Sequence, residues 1–166
     1  MGILKNLFNA FANPPKPQSQ PRMQNDSYVK EVKHKVAGVT HYKDNILSFA
    51  RPNPQYGISK KEMIAKDIGT IYEYAFVTGK TELIPEPTNP SDPNAIMVVI
   101  DGKHVGYIKK GSCKHILNLM EQNRIENIDS IISGGKCKCL EFDGEGNTKL
   151  SQRSKEYSVT VLITEQ

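Results

Sequence analysis

Apolar and polar positions alternate in short runs along most of the chain, and the runs are separated by turn-forming residues. Ala95-Ile96-Met97-Val98-Val99-Ile100 is a β-branched apolar run, short enough for a buried strand. Asp101-Gly102 follows it and predicts a two-residue hairpin into a return strand from Lys103 to Ile108. Further strands are predicted over Tyr28 to Val39, Thr81 to Pro85, Ile125 to Ser133, Lys136 to Phe142 and Tyr157 to Thr164. Thr70 to Val77 reads as one more, with Tyr72, Tyr74 and Phe76 sharing a face by the two-residue period.

Helical spacing is rarer. Ile3, Leu4, Leu7, Phe8 and Phe11 predict an amphipathic helix over residues 1–12, followed by a Pro- and Gln-rich linker over 13–27. The folded domain is then assigned to 28–166. Within it, residues 43–68 read as a surface insertion. There Asn45 to Ala50 is helical, Arg51 to Pro54 breaks it, and Ser59 with Glu62 forms a capping box for a helix over Lys60 to Lys66. Ser112 is predicted to cap a helix from Cys113 to Asn123, with Ile116, Leu117 and Met120 as its buried stripe. Many short strands around one main helix predict a mainly β fold, a small barrel with short helices.

Length and charge narrow this little. The 166 residues suit one domain with a tail, and a net charge of +4 is compatible with a nucleic-acid partner without requiring one. Cys113, Cys137 and Cys139 are an odd set without framework spacing, which points to a reducing compartment, the cytoplasm. No signal peptide is visible and no apolar run approaches the roughly 20 residues of a membrane-spanning helix. The amphipathic segment 1–12 suits a protein partner or a membrane surface instead.

Catalytic patterns are weak. Glu31-Val32-Lys33 imitates the Glu-x-Lys of metal-dependent nucleases, but only Asp26 stands near it. Cys137 and Cys139 lack the second pair of a structural zinc site and read as buried strand residues. Asp143 to Asn147 is a turn, not a calcium loop, and Walker, GxSxG and HExxH motifs are absent from the sequence. No cofactor and no enzymatic activity are predicted.

The segment Asn89-Pro90-Ser91-Asp92-Pro93-Asn94-Ala95-Ile96-Met97-Val98, with Gly102 and Val105-Gly106-Tyr107-Ile108 after it, resembles the signature of the HIRAN domain. The likeness extends over roughly Val32 to Glu165. It implies an OB-like barrel that binds single-stranded DNA and captures a free 3′ end, in a setting of DNA repair or replication. By that resemblance Asp92 accepts a hydrogen bond from the terminal 3′-hydroxyl. A carboxylate repels internal phosphates and accepts from a hydroxyl donor, so it selects an end. The alternative for an Asp between Ser and Pro is a bond to its own turn.

His41 stands where the family has a stacking aromatic, and Tyr42 matches an aromatic position. Tyr107 either stacks on a base or fills the barrel, and Tyr157 aligns with an aromatic of the last strand. Lys109 and Lys110, with Lys114, form a basic cluster that neutralises phosphates or is simply solvated. Two positions depart from the family: Ser91 replaces an aromatic, and Thr40 stands where an arginine occurs.

Overall fold

The computed structural model describes residues 30–166. The predicted helix 1–12 and linker 13–27 lie outside the described residues. The described chain is mainly β with short helices.

β1 (Lys30–Ala37) stops at Gly38, whose φ of 74° turns the chain into a 3-10 turn, Val39–Tyr42. His41 and Tyr42, just beyond the predicted strand, therefore sit on this turn. The left-handed conformation costs a glycine little, which is why the strand ends there. α1 (Lys43–Leu47), β2 (Ala50–Pro52), a 3-10 turn over Pro54–Gly57 and α2 (Lys60–Ala65) then make up the insertion. α2 carries the expected capping box. Ser59 Oγ accepts from the Glu62 N–H at 3.3 Å, and Glu62 Oε2 accepts from the Ser59 N–H at 2.8 Å.

Thr70 to Val77 is two strands rather than one. β3 (Thr70–Tyr72) pairs with β8 (Ile125–Phe142), while β4 (Tyr74–Phe76) pairs with β2. Asn53 explains the split: its side chain donates to the Tyr72 carbonyl at 2.9 Å and its backbone N–H to the Glu73 carbonyl at 2.9 Å. Those two bonds draw the chain from one sheet into the other.

β5 (Thr81–Pro85), β6 (Ile96–Ile100) and β7 (Lys103–Ile108) form a meander. At the hairpin Asp101 (φ 46°) and Gly102 (φ 75°) both take positive φ, the geometry of a type I′ turn. α3 (Lys110–Glu121) starts ahead of the predicted cap, with Lys109 as N-cap and Ser112 inside the first turn. Its buried face is Cys113, Ile116 and Leu119, and Leu117 and Met120 only flank it. The two strands predicted over 125–142 are the single strand β8, which bulges between Ser133 and Gly135 and pairs along its length with β9 (Thr148–Glu165).

The large sheet has the order β3-β8-β9-β1-β7-β6-β5. It curls until its β5 edge meets β8 through side chains: Thr81 Oγ1 donates to Ser130 Oγ at 2.8 Å and Thr78 Oγ1 to the Ser130 carbonyl at 3.1 Å. No backbone ladder joins these two strands among the described residues, so the predicted barrel is a curled sheet closed only by hydroxyls. One apolar cluster fills the curl. Period-two burial supplies Val159, Val161 and Ile163 from β9, while α1 adds Ile46 and α3 adds Ile116. Among the described residues no helix is long and apolar enough to cross a membrane.

His34 is a buried polar side chain left unpartnered among the described residues. It is 6% exposed, sits opposite Val161, and its Nε2 has no hydrogen-bond partner. Burial, with His115 nearby, lowers its pKa from 6.5 against the opposing pull of Glu165. The unfolded chain therefore binds a proton that the folded state resists, and stability falls as pH drops through 6.5. Urea unfolding at pH 7.5 and pH 5 is expected to show a lower midpoint at the acid value. His34→Leu is expected to remove most of that difference, and an unchanged slope in the variant would contradict the assignment.

Candidate functional site

The proline corner between β5 and β6 is stiffened by its own polar side chains. The Glu86 N–H donates to the Ala95 carbonyl at 2.8 Å, which closes the base of the loop. Inside it, Asn89 Oδ1 accepts from the N–H groups of Ser91 (3.0 Å) and Asp92 (3.2 Å). Asp92 Oδ1 in turn accepts from the Asn94 N–H at 2.9 Å, so this oxygen folds back onto the turn. Oδ2 does not. It faces Lys110 Nζ at 3.8 Å, where α3 begins.

One oxygen of Asp92 thus bonds its own turn, and the other faces the lysine. The Asn94 N–H, and after it Lys110 and Lys114, hold the carboxyl below its usual range, so it is ionised at neutral pH. Its side chain is 15% exposed against 82% for Lys110. A small acidic spot therefore lies under an exposed cation and beside the positive end of a helix.

An aromatic group adjoins this corner. Tyr42 stacks on His104 with ring centroids 4.0 Å apart, and His104 meets Tyr107 edge-on at 4.8 Å. In a regular strand His104 and Tyr107, three positions apart, would face opposite ways. The β6–β7 register shifts at Val98/Val99, which leaves Val105 as an extra residue and brings both rings to one side. Gly106 makes this possible with φ 141°.

The Tyr107 pKa is pushed up to about 12, by burial first and then by the Glu86 carboxylate against its hydroxyl. Tyr107 therefore stays a neutral donor. Asn89 Nδ2 donates to Glu86 Oε2 at 3.0 Å, so polar contacts run without a break from the Asp92 turn to the aromatic group.

The structure thus brings Asp92, Lys110, Tyr107 and Tyr42 into one neighbourhood. His41 is exposed on the Val39–Tyr42 turn, and it is its neighbour Tyr42 that enters the stack. Lys109 is exposed at the N-cap of α3, its backbone N–H bonded to the Lys35 carbonyl at 3.2 Å. Tyr157 belongs elsewhere. It packs edge-on against Phe76 (5.9 Å) and lines a cavity on the other side of the Val39–Tyr42 turn.

His104 and Glu86 escaped the sequence reading. Glycine inside a strand was the available signal for the bulge that recruits His104, whereas nothing local marks Glu86. Cys137 and Cys139 are buried as expected, with their sulfurs 3.6 Å apart.

The family model of the HIRAN domain matches residues 63–140. Over those residues the chain is similar to a HIRAN domain. The matched stretch is narrower than the sequence likeness suggested, and it begins within the segment read as an insertion. It contains Asp92, Tyr107, Lys109 and Lys110, while His41, Tyr42 and Tyr157 lie outside it. Among solved structures, the crystal structure of the HIRAN domain of human HLTF is similar at a TM-score of 0.40 and 15% identity, covering 81% of this chain and 74% of that one. No curated protein sequence matches the chain.

Proposed function

We propose that this HIRAN-like chain is a non-catalytic DNA-binding module that takes single-stranded DNA and prefers a free 3′ end. HIRAN domains bind DNA, which supports the nucleic-acid partner. The observation that carries the finer reading is the divided Asp92 carboxylate. One oxygen is held by the turn, which fixes the group in place, and the other is left to accept from an incoming hydroxyl. A terminal 3′-hydroxyl supplies that donor, whereas a phosphate at the same point meets a negative charge.

Lys110, with an exposed ammonium next to Asp92, swings onto the adjoining phosphate, and Lys109 adds to the same positive edge. Tyr107 and Tyr42 present the aromatic surface on which the terminal bases lie, with His41 exposed beside them. Glu86 keeps the Tyr107 hydroxyl oriented. Such a site serves proteins that act at strand ends during repair or replication, and the sequence likeness implies the same setting.

The test is a titration of fluorescent single strands at low salt, one ending in a 3′-hydroxyl and one in a 3′-phosphate. The hydroxyl strand is expected to bind about tenfold more tightly, the worth of a hydrogen bond to a charged group. Binding of both should weaken steeply as salt rises. Equal affinities would remove end selection, and no binding of either would remove the DNA reading.

A further inference from the structure

β8 carries two cysteines two positions apart, Cys137 and Cys139, and the strand period turns both sulfurs to one face. Lys138 between them turns to the other face, where its ammonium donates to the Tyr56 carbonyl at 2.6 Å. The register across three strands fixes what surrounds the pair. Tyr72 on β3, Cys137 and Arg153 on β9 stand side by side, and so do Thr70, Cys139 and Ser151. The two sulfurs lie 3.6 Å apart, in contact, and both are free thiols.

Their surroundings differ. Cys137 is fully buried, whereas Cys139 is 8% exposed between the small side chains of Thr70 and Ser151. The Thr70 hydroxyl donates to the Cys139 sulfur at 3.7 Å, a contact that favours its thiolate. Burial, with Cys139 alongside, pushes the Cys137 thiol up against the pull of Lys155 and Arg153. Cys139 is therefore the sulfur that meets a reagent first, and Cys137 keeps its proton beside it. Cys113 offers the contrast, buried on α3 with its sulfur 3.5 Å from the Ile108 carbonyl.

Geometry also sets how long a bond between the pair lasts. Two residues apart on a strand, their Cα atoms are separated by about 6.6 Å at about 3.3 Å per residue. That is the long end of the roughly 4.4–6.8 Å that a disulfide spans. Bonding therefore shortens β8 locally, and strained disulfides are the readily reduced ones. β3 is only three residues long at the edge of the large sheet, and it pairs with β8 at these two cysteines. The strain falls on that short ladder.

We infer that Cys137 and Cys139 form a reversible thiol–disulfide site, oxidised by hydroperoxides and reset by small thiols. The Cys139 thiolate attacks one peroxide oxygen, the O–O bond breaks, and hydroxide leaves behind a sulfenic acid. The Cys137 sulfur then attacks the Cys139 sulfur, the S–O bond breaks, and the departing hydroxide takes the Cys137 proton. Two thiols thus lose two electrons and two protons, and hydrogen peroxide becomes two waters. A labile bond of this kind suits a reducing compartment, where transient disulfides act as sensors. This chemistry is independent of DNA binding.

The full chain, with all three cysteines reduced, is treated with a small excess of hydrogen peroxide, and catalase stops the reaction. The intact mass is expected to fall by about 2 Da. Alkylation after unfolding should then find one thiol, Cys113, in place of three. Millimolar glutathione should restore all three. Cys137→Ser removes the resolving partner, so the sulfenic-acid probe dimedone should collect on Cys139, whereas Cys139→Ser should collect none on Cys137. Three free thiols after peroxide, or a bond that includes Cys113, overturns the site. A Cys137–Cys139 bond that survives glutathione overturns its reversibility. Dimedone on Cys137 and none on Cys139 overturns the order of attack.

Discussion

Gly106→Ala is expected to cost roughly 3–5 kcal/mol, a large share of the roughly 5–15 kcal/mol that holds a domain together. The residue sits at φ 141°, where an L side chain is strained. A Cβ there would stand 2.6 Å from Val36 Cγ1 and would also press into the Ala37 carbonyl of the neighbouring strand. Neither obstacle can step aside, because Val36 pairs with Ile108 and Ala37 with Tyr107 in the β1–β7 ladder. Thermal unfolding followed by circular dichroism should show a midpoint lower by about 10 °C or more. Gly111→Ala is the comparison. A Cβ on this glycine of α3 meets nothing within 4 Å, so alanine there is expected to be neutral or to stabilise by up to about 1 kcal/mol. A Gly106→Ala variant as stable as Gly111→Ala would show that the bulge relaxes freely.

Asp92→Asn is expected to leave the fold intact and to abolish the preference for a 3′-hydroxyl over a 3′-phosphate. Asparagine keeps a side-chain oxygen for the Asn94 N–H, the bond that shapes the turn. It loses the negative charge on the oxygen that faces Lys110. Discrimination of tenfold or more should therefore shrink toward unity, because the hydroxyl-ended strand loses its charged acceptor and the phosphate-ended strand loses a repulsion. Asp92→Ala removes the turn bond as well and should lower the thermal midpoint, so the pair separates the two duties of the carboxylate. If Asp92→Asn retained the native preference, the selecting group would lie elsewhere, and the Asp92 end site would be withdrawn.

Local chemistry explains what was legible in the chain. Ser59 and Glu62 cap α2, Asp101-Gly102 turns the β6–β7 hairpin, and Asp143 closes the β8–β9 turn by accepting from Asn147 N at 2.7 Å. Each is decided within four residues, so neighbours in sequence are enough. Asp92 belongs partly to this class, since its turn bond to Asn94 follows from the residue types alone.

Where distant partners intervene, the local signals mislead. Thr70 to Val77 has the pattern of one strand, but Asn53 captures two of its carbonyls and divides it between sheets. Ser112 is a good cap by type, yet the chain leaves β7 already turning, and α3 starts at Lys110. His41 and Tyr42 alternate as a strand would, but Gly38 redirects them. Tyr157 reads as part of one binding surface with Asp92, and the structure packs it on Phe76 beside a cavity whose lining does not include Asp92.

By itself, then, the amino-acid order determined a mainly β domain, its turns and caps, the rigid acidic corner and the basic residues after Tyr107. Tertiary structure alone decided which side chains meet. The Asp92–Lys110 pairing, the Tyr42–His104–Tyr107 stack and the Tyr157–Phe76 contact all depend on residues far apart in sequence. Pattern and propensity act over one or two turns of chain, whereas a curled, bulged antiparallel sheet sets facing and register over its whole width, and register decides what each side chain touches.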